Sequence, residues 1–90
     1  MKKINDQLSI TDIDISYWNG RLMAQVYFLY MGQYSADGIY YANSKNYSSF
    51  GTQDLPSSMH DAIEEEVSDS SNKIKNFLNE KFREYEDEEN

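Results

Sequence analysis

The sequence predicts an α+β domain, with a three-stranded, or four-stranded, antiparallel sheet followed by a long acidic C-terminal helix, or two helices, packed on one face. Three observations carry this prediction. An Asn-Gly dipeptide separates two runs of alternating apolar and polar residues, ten aromatic residues precede position 54, and from Met59 onward apolar residues recur at spacings of three, four or seven. The 90 residues make one domain, 1–90. The sheet is expected over 9–50, the helical part over 55–86 and an acidic tail over 87–90.

Thr11 to Trp18 reads Thr-Asp-Ile-Asp-Ile-Ser-Tyr-Trp, an alternation with period two and many β-branched or aromatic residues, which favours a strand. Asn19-Gly20 follows, and this pair suits a type I′ hairpin turn, whose two central residues both need positive φ. A two-residue turn fixes the register, pairing Trp18 with Arg21, Tyr17 with Leu22, Ile15 with Ala24, Ile13 with Val26 and Asp12 with Tyr27. One face then carries Ile13, Ile15, Tyr17, Leu22, Ala24 and Val26. The other carries Asp12, Asp14, Ser16, Trp18, Arg21, Met23, Gln25 and Tyr27. A slip of one residue would exchange the faces, so the agreement of both strands supports the register.

The second strand is expected to run on through Phe28 and Tyr30, with Gly32 a bulge or end. Asp37-Gly38 reads as a second turn, followed by a third strand at Ile39-Tyr40-Tyr41-Ala42. That register directs Ala36 and Ile39 to the core and Tyr40 outward. Asn43 to Asp54 is rich in Ser, Asn and Gly and reads as a loop, with room for a short fourth strand around Tyr47 to Phe50.

Pro56 stands beside Asp54, Ser57 and Ser58, any of which suits a helix cap. Met59, Ile63, Val67, Ile74, Phe77, Leu78, Phe82 and Tyr85 then form one helical stripe. Ser68-Asp69-Ser70-Ser71-Asn72 interrupts it with poor helix formers. The step from Val67 to Ile74 is two turns, so the stripe keeps its phase, and one long helix with a weak middle is favoured. Two helices, with Ser70 or Ser71 capping the second, also fit. The acids from Glu84 to Glu89 oppose the macrodipole at a helix C-terminus and are expected to fray. A sheet with one apolar face and a helix with one apolar stripe share a solution, the stripe packed on the sheet.

Sixteen acids against eight bases leave a formal charge of −8, and its position matters more than its size. Residues 1–53 balance Lys2, Lys3, Arg21 and Lys45 against Asp6, Asp12, Asp14 and Asp37, so the whole excess lies in residues 54–90. A pI near 4.4 argues against direct nucleic-acid binding, which uses Lys and Arg to displace counterions from phosphates. Cys is absent, which removes thiol catalysis, Cys-ligated zinc and disulfides. Behind Met1-Lys2-Lys3-Ile4-Asn5-Asp6-Gln7 there is no long apolar run, so neither a signal peptide nor a membrane span is expected and the default compartment is cytoplasmic.

The remaining motifs are weak. His60 lies beside Asp61 and Glu64 but has no nucleophile in readable relation to it, so no catalytic set is expected. Glu64-Glu65-Glu66 with Asp61 and Asp69 offers oxygen ligands but lacks the alternation, glycine and closing glutamate of an EF-hand loop, so no metal site or cofactor is expected. Asn46-Tyr47-Ser48 matches a glycosylation acceptor without a secretory signal.

The outward sheet face is more informative. Trp18, Met23, Tyr27 and Tyr40 beside Asp12, Asp14, Arg21 and Gln25 make an aromatic patch with a polar margin, of the residue types that dominate binding hot spots. A homodimer or a foreign partner would use such a patch. On the helical part, Asp61, Glu64, Glu65, Asp69, Glu80 and Glu84 form an acidic surface suited to a basic nucleic-acid cleft.

In its small size, lack of Cys, acidity, Tyr- and Asn-rich composition, short sheet and acidic helix, the chain resembles small phage-encoded inhibitors of bacterial defence, the anti-CRISPR proteins and anti-restriction DNA mimics. The resemblance covers composition and architecture without a diagnostic motif. It implies a non-enzymatic inhibitor in the cytoplasm of a bacterial host cell, with a CRISPR effector or restriction enzyme as partner. The other reading is a small homodimeric accessory or antitoxin-like interaction module.

Overall fold

The computed structural model describes the backbone of residues 1–89 and the side chains of residues 1–87. In chain order the elements are β1 (Lys2–Lys3), β2 (Leu8–Trp18), β3 (Arg21–Tyr30), β4 (Tyr34–Tyr41), β5 (Ser49–Thr52), α1 (Ser57–Asp69) and α2 (Ser71–Glu89). The strands form one five-stranded antiparallel sheet in sequence order. The class is α+β as expected, but the sheet has five strands rather than three or four and spans 2–52 rather than 9–50. β1 leaves no sequence signature, because two lysines show neither alternation nor apolar character.

The β2–β3 hairpin has the register its turn dictates, from Trp18 opposite Arg21 to Asp12 opposite Tyr27. Asn19 and Gly20 take φ of 52° and 77°, as a type I′ turn requires. Pairing shifts between Ile10 and Asp12, so Thr11 is a bulge. The extra residue restores phase, and Leu8 and Ile10 face the same side as Ile13 and Ile15. Tyr17, expected in the core, is 55% exposed. Its ring meets Tyr85 at 6.1 Å between centroids, the last apolar position of the helical stripe, so it is covered from one side only.

The second turn lies elsewhere than the sequence suggests. Tyr30 pairs with Tyr34 across Met31-Gly32-Gln33, with φ of 53° at Met31 and 71° at Gly32. Asp37 and Gly38 sit inside β4, where Gly38 pairs with Val26 and with Phe50. A Cβ on Gly38 would come within 3.4 Å of Tyr40 Cε1 and 3.7 Å of Phe28 Cε2. With the Ser49 carbonyl oxygen also at 3.4 Å, these are ordinary van der Waals distances, so the glycine sits in a packed strand without being demanded by a turn. Ala36 lies on the core side as expected, and shifting the turn reverses the faces of the residues after Gly38. Tyr40 points into the core, 1% exposed, rather than outward, and Ile39 points outward rather than in.

The helical part spans 57–89 rather than 55–86. Pro56 occupies the N-cap position of α1 with no side-chain cap, its carbonyl accepting from the Met59 and His60 N–H groups at 3.0 Å each. Asp54 takes φ of 60° in the preceding loop and makes no cap hydrogen bond to α1. Ser70 divides the favoured single helix into two. Its backbone at φ −99° and ψ 13° leaves helical geometry. Its N–H still bonds the Glu66 carbonyl at 3.1 Å, and its carbonyl accepts from Ile74 at 3.0 Å. Hydrogen bonding thus bridges the break and the stripe keeps its phase. α2 continues through Glu89 where a frayed tail from residue 87 was expected; the macrodipole penalty, about 0.3–1 kcal/mol for an exposed charge, is small enough for the helix to run on. Asn90 lies outside the described residues.

The stripe packs on the sheet. Ile63, Val67, Ile74, Leu78 and Phe82 are buried with Leu8, Ile10, Leu22, Ala24, Val26, Phe28, Ala36 and Tyr40 in one cluster, flanked by half-buried Met59, Phe77 and Tyr85. Each fully buried aliphatic side chain contributes roughly 1.5–3 kcal/mol. Within this cluster the Tyr40 hydroxyl is the one buried side-chain polar atom without a partner among the described residues. Burial, with the neighbouring Tyr47 second, pushes its ionisation far above the usual range.

Candidate functional site: an acidic helix face and an aromatic sheet face

Two layers leave two outer surfaces. α1 carries Asp61, Glu64, Glu65, Glu66 and Asp69 and no Lys or Arg. Ile63 and Val67 turn one side of it into the core, so Asp61, Glu65 and Asp69, four residues apart, run along the opposite, exposed side with about 6 Å of axial rise per step. Glu64 is half-buried at the flank. Glu66 is taken by the Asn5 Nδ2, which donates to its Oε1 at 2.6 Å. Among the described residues no α1 carboxylate lies within ion-pair distance of a base; the two ion pairs are Lys3–Asp6 and Lys81–Glu84.

α2 differs. Glu80 and Glu84 are exposed, but Glu84 accepts from Lys81 at 3.3 Å, and Arg83 stands with them in a shallow cleft lined by Glu80, Arg83, Glu84 and Asp87. Farther along, Lys2 and Lys81 sit over the Phe77 ring at 5.5 and 5.4 Å. Lys75 donates to the Tyr41 carbonyl at 2.7 Å and is held below its usual ionisation range by burial. The bases of the second half thus all lie on α2. Of the eight excess negative charges, α1 carries five, α2 two and Asp54 one, so the densest uncompensated charge is on α1.

On the other side of the molecule the outer sheet face has no covering layer among the described residues. Trp18 is 59% exposed. The Arg21 guanidinium lies over the Tyr41 ring at 3.9 Å, a cation–π contact. Met23, Tyr27, Leu29, Ile39 and Tyr41 are half-buried, and Gln25 Nε2 donates to Asp37 Oδ2 at 3.3 Å. Asp12 and Asp14 form the exposed margin. The loop after β4 does not cover this face. Tyr47 packs on the core side, edge-on to Tyr40, with its hydroxyl 3.4 Å from Ser68 Oγ on α1.

Asp12, Asp14, Trp18 and Tyr27 therefore share the outer sheet face, whereas Asp61, Glu64, Glu65, Asp69, Glu80 and Glu84 belong to the helical layer behind it. Tyr40 belongs to neither, being buried between the layers. The two surfaces face away from each other across a body 18 Å in its thinnest dimension. Ile39 and Tyr41 are the outer-face residues sequence reasoning missed. The signal for them was Met31-Gly32, a turn whose first residue is a poor advertisement for positive φ.

His60, Asp61 and Glu64 bring potential ligand atoms within 4.8 Å of one another. The His60 Nδ1 is already 2.7 Å from Thr52 Oγ1 and its ring lies against Phe50 at 5.6 Å, contacts that dock α1 on β5. No helix of the described residues is long and apolar enough to cross a membrane.

No protein-family model, curated protein or solved structure matches the chain.

Proposed function

We propose that the protein is a non-enzymatic inhibitor that places the exposed face of α1 in the basic nucleic-acid cleft of a bacterial defence protein, a CRISPR effector or a restriction enzyme. The observation that carries this reading is the Asp61–Glu65–Asp69 ridge, a regular row of carboxylates on a helix without a base. Fixed on a packed helix, these charges present a field complementary to a phosphate-binding groove without reorganising, which speeds association and competes with nucleic acid. Glu64, Glu80 and Glu84 extend the same layer. The inhibitor works in the cytoplasm of the bacterial host and needs no cofactor. Because the aromatic face looks the other way, a partner gripping both surfaces must reach around an edge of the sheet, and the helix layer is the primary contact.

DNA cleavage by a set of CRISPR effectors and restriction enzymes, with the protein added before and after the DNA, tests the reading. Inhibition that is strongest when the protein is added first supports it, and full DNA cleavage throughout would count against it.

A second reading is a homodimeric accessory or antitoxin-like module, favoured by the uncovered Trp18, Met23 and Tyr27 patch with Arg21 stacked on Tyr41. Tyr27→Glu separates the two. It abolishes self-association in the second reading and leaves inhibition intact in the first.

A further inference from the structure

The open edge of β2 offers a separate surface. β2 has 11 residues, and on its outer side β1 pairs only with Ile10 and Ser9. From Asp12 to Trp18 the strand has β3 on one side and no strand on the other among the described residues. This stretch contains neither Lys nor Pro; the charges that guard it are Asp12 and Asp14, both on the outer face, and the Thr11 bulge lies at its start.

Which backbone groups are free follows from the turn. A two-residue hairpin closes on a hydrogen-bonded pair, here Trp18 and Arg21, so Ser16, Asp14 and Asp12 also bond toward β3. The N–H and C=O groups of Ile13, Ile15 and Tyr17 then point to the open edge. In keeping with this, the Ile13 N–H finds no β3 carbonyl and donates instead to Asp12 Oδ1 at 2.9 Å.

We propose that this edge pairs with the same edge of a second copy, antiparallel, about a two-fold axis through Ile15. Charge selects the register. Centring on Ile13 sets Asp12 against Asp14, and centring on Asp14 sets it against itself, both unfavourable. Centring on Ser16 or Tyr17 runs the strands into the Asn19-Gly20 turn. Centring on Ile15 sets Asp12 against Trp18, Ile13 against Tyr17 and Asp14 against Ser16. It also makes the Ile15 and Ile13–Tyr17 pairs the hydrogen-bonded ones, as their free groups demand. The Ile13 N–H exchanges Asp12 for the Tyr17 carbonyl of the second copy.

The inner side suits an added strand as well. Ile13 and Ile15 are half-buried and Tyr17 largely exposed. Beside them runs an open cleft bounded by Lys81, Glu84 and Tyr85 of α2. In the pair these apolar side chains cover one another. This pairing does not rest on the inhibitor reading, and salt distinguishes the two. Two chains of charge −8 repel, so added salt strengthens the dimer, whereas it weakens binding to a basic cleft.

Sedimentation equilibrium of the full chain tests the proposal, with Ser16 as the probe because it is exposed and outside the core. The expected mass approaches twice 10.5 kDa as concentration and salt rise. Ser16→Lys, opposite Asp14, tightens the dimer by about tenfold and Ser16→Asp loosens it by about as much, each acting twice per dimer. Asp14 and Ser16 of the two copies form a closely spaced pair, Cα atoms about 4.5 Å apart, within disulfide reach. Since the chain has no Cys, the double variant Asp14→Cys with Ser16→Cys should give a covalent dimer on oxidation. A mass that stays at 10.5 kDa, equal effects of the two Ser16 variants, or no cross-link would each overturn the proposal.

Discussion

Asn5 Nδ2 donates to Glu66 Oε1 at 2.6 Å and lies 3.3 Å from Ser70 Oγ, joining the loop before β2 to the junction of the two helices. The same side chain accepts from the Gln7 and Leu8 N–H groups at 2.8 and 2.9 Å, shaping the turn between β1 and β2. One asparagine thus ties the β1–β2 turn to the end of α1 and to the junction of the helices. Asn5→Ala is expected to lower unfolding stability by about 1–3 kcal/mol in urea titration. Asn5→Asp should cost more at neutral pH, where it faces the Glu66 carboxylate, and its extra deficit should shrink as pH falls toward about 4. A neutral effect of both variants would remove Asn5 from this role.

The Tyr40 hydroxyl offers a test of the opposite sign. It is buried without a partner, so Tyr40→Phe should be neutral or stabilising by about 1 kcal/mol. The pH dependence follows from the raised folded ionisation. Above about pH 10 the unfolded chain loses the proton that the folded chain keeps, so the stability tied to Tyr40 is present below pH 10 and falls as pH rises beyond it. Tyr40→Phe should flatten that alkaline decline in thermal melts between neutral pH and pH 11. A marked loss of stability in Tyr40→Phe at neutral pH would mean that the hydroxyl has a partner.

The placement of the second turn predicts an asymmetry between two glycines. Gly32 has φ of 71° with open space around it, and Gly38 has an ordinary φ with packed neighbours beginning at 3.4 Å. Gly32→Ala should cost about 1–2 kcal/mol from backbone strain alone. Gly38→Ala should cost less, because the lost chain entropy of the unfolded state offsets a mild contact. The reverse order in denaturant titrations would return the turn to Asp37-Gly38.

These cases show where the fold was legible in the sequence. Asn19-Gly20 announces its turn chemically and locks the β2–β3 pairs from Trp18–Arg21 to Asp12–Tyr27, beyond which the Thr11 bulge resets the register. The helical stripe survives the Ser70 break because Val67 and Ile74 are two turns apart. Gly38 misled because a glycine inside a strand, packed beside the Phe28 and Tyr40 rings, looks in sequence like one required by a turn, and that error carried Tyr40 to the wrong face. The Ser70 break was legible locally, since Ser68-Asp69-Ser70-Ser71-Asn72 are poor helix formers, and the two-helix alternative is the one the structure adopts; the Asn5 contact with Ser70, 65 positions away, was not. For the candidate site, the charge division pointed to the helical part. It took the packing to show that α2 neutralises much of its own charge while α1 does not, and that the aromatic face lies behind.

Reversal of charge on the α1 face should leave the fold intact. Asp61 and Glu65 are exposed and Glu64 lies at the flank. Asp61→Lys, Glu64→Lys and Glu65→Lys together put three bases on a helix that has none, so thermal stability should hold or rise slightly. A collapse of the far-ultraviolet helical signal would show that these carboxylates support the fold.

The most direct test of the central claim uses that triple variant beside the parent in nucleic-acid cleavage assays with the inhibited CRISPR effector or restriction enzyme. The account predicts inhibition by the parent that weakens as salt rises, and loss of inhibition by the folded triple variant. Inhibition by the triple variant equal to that of the parent at the same concentration would contradict it.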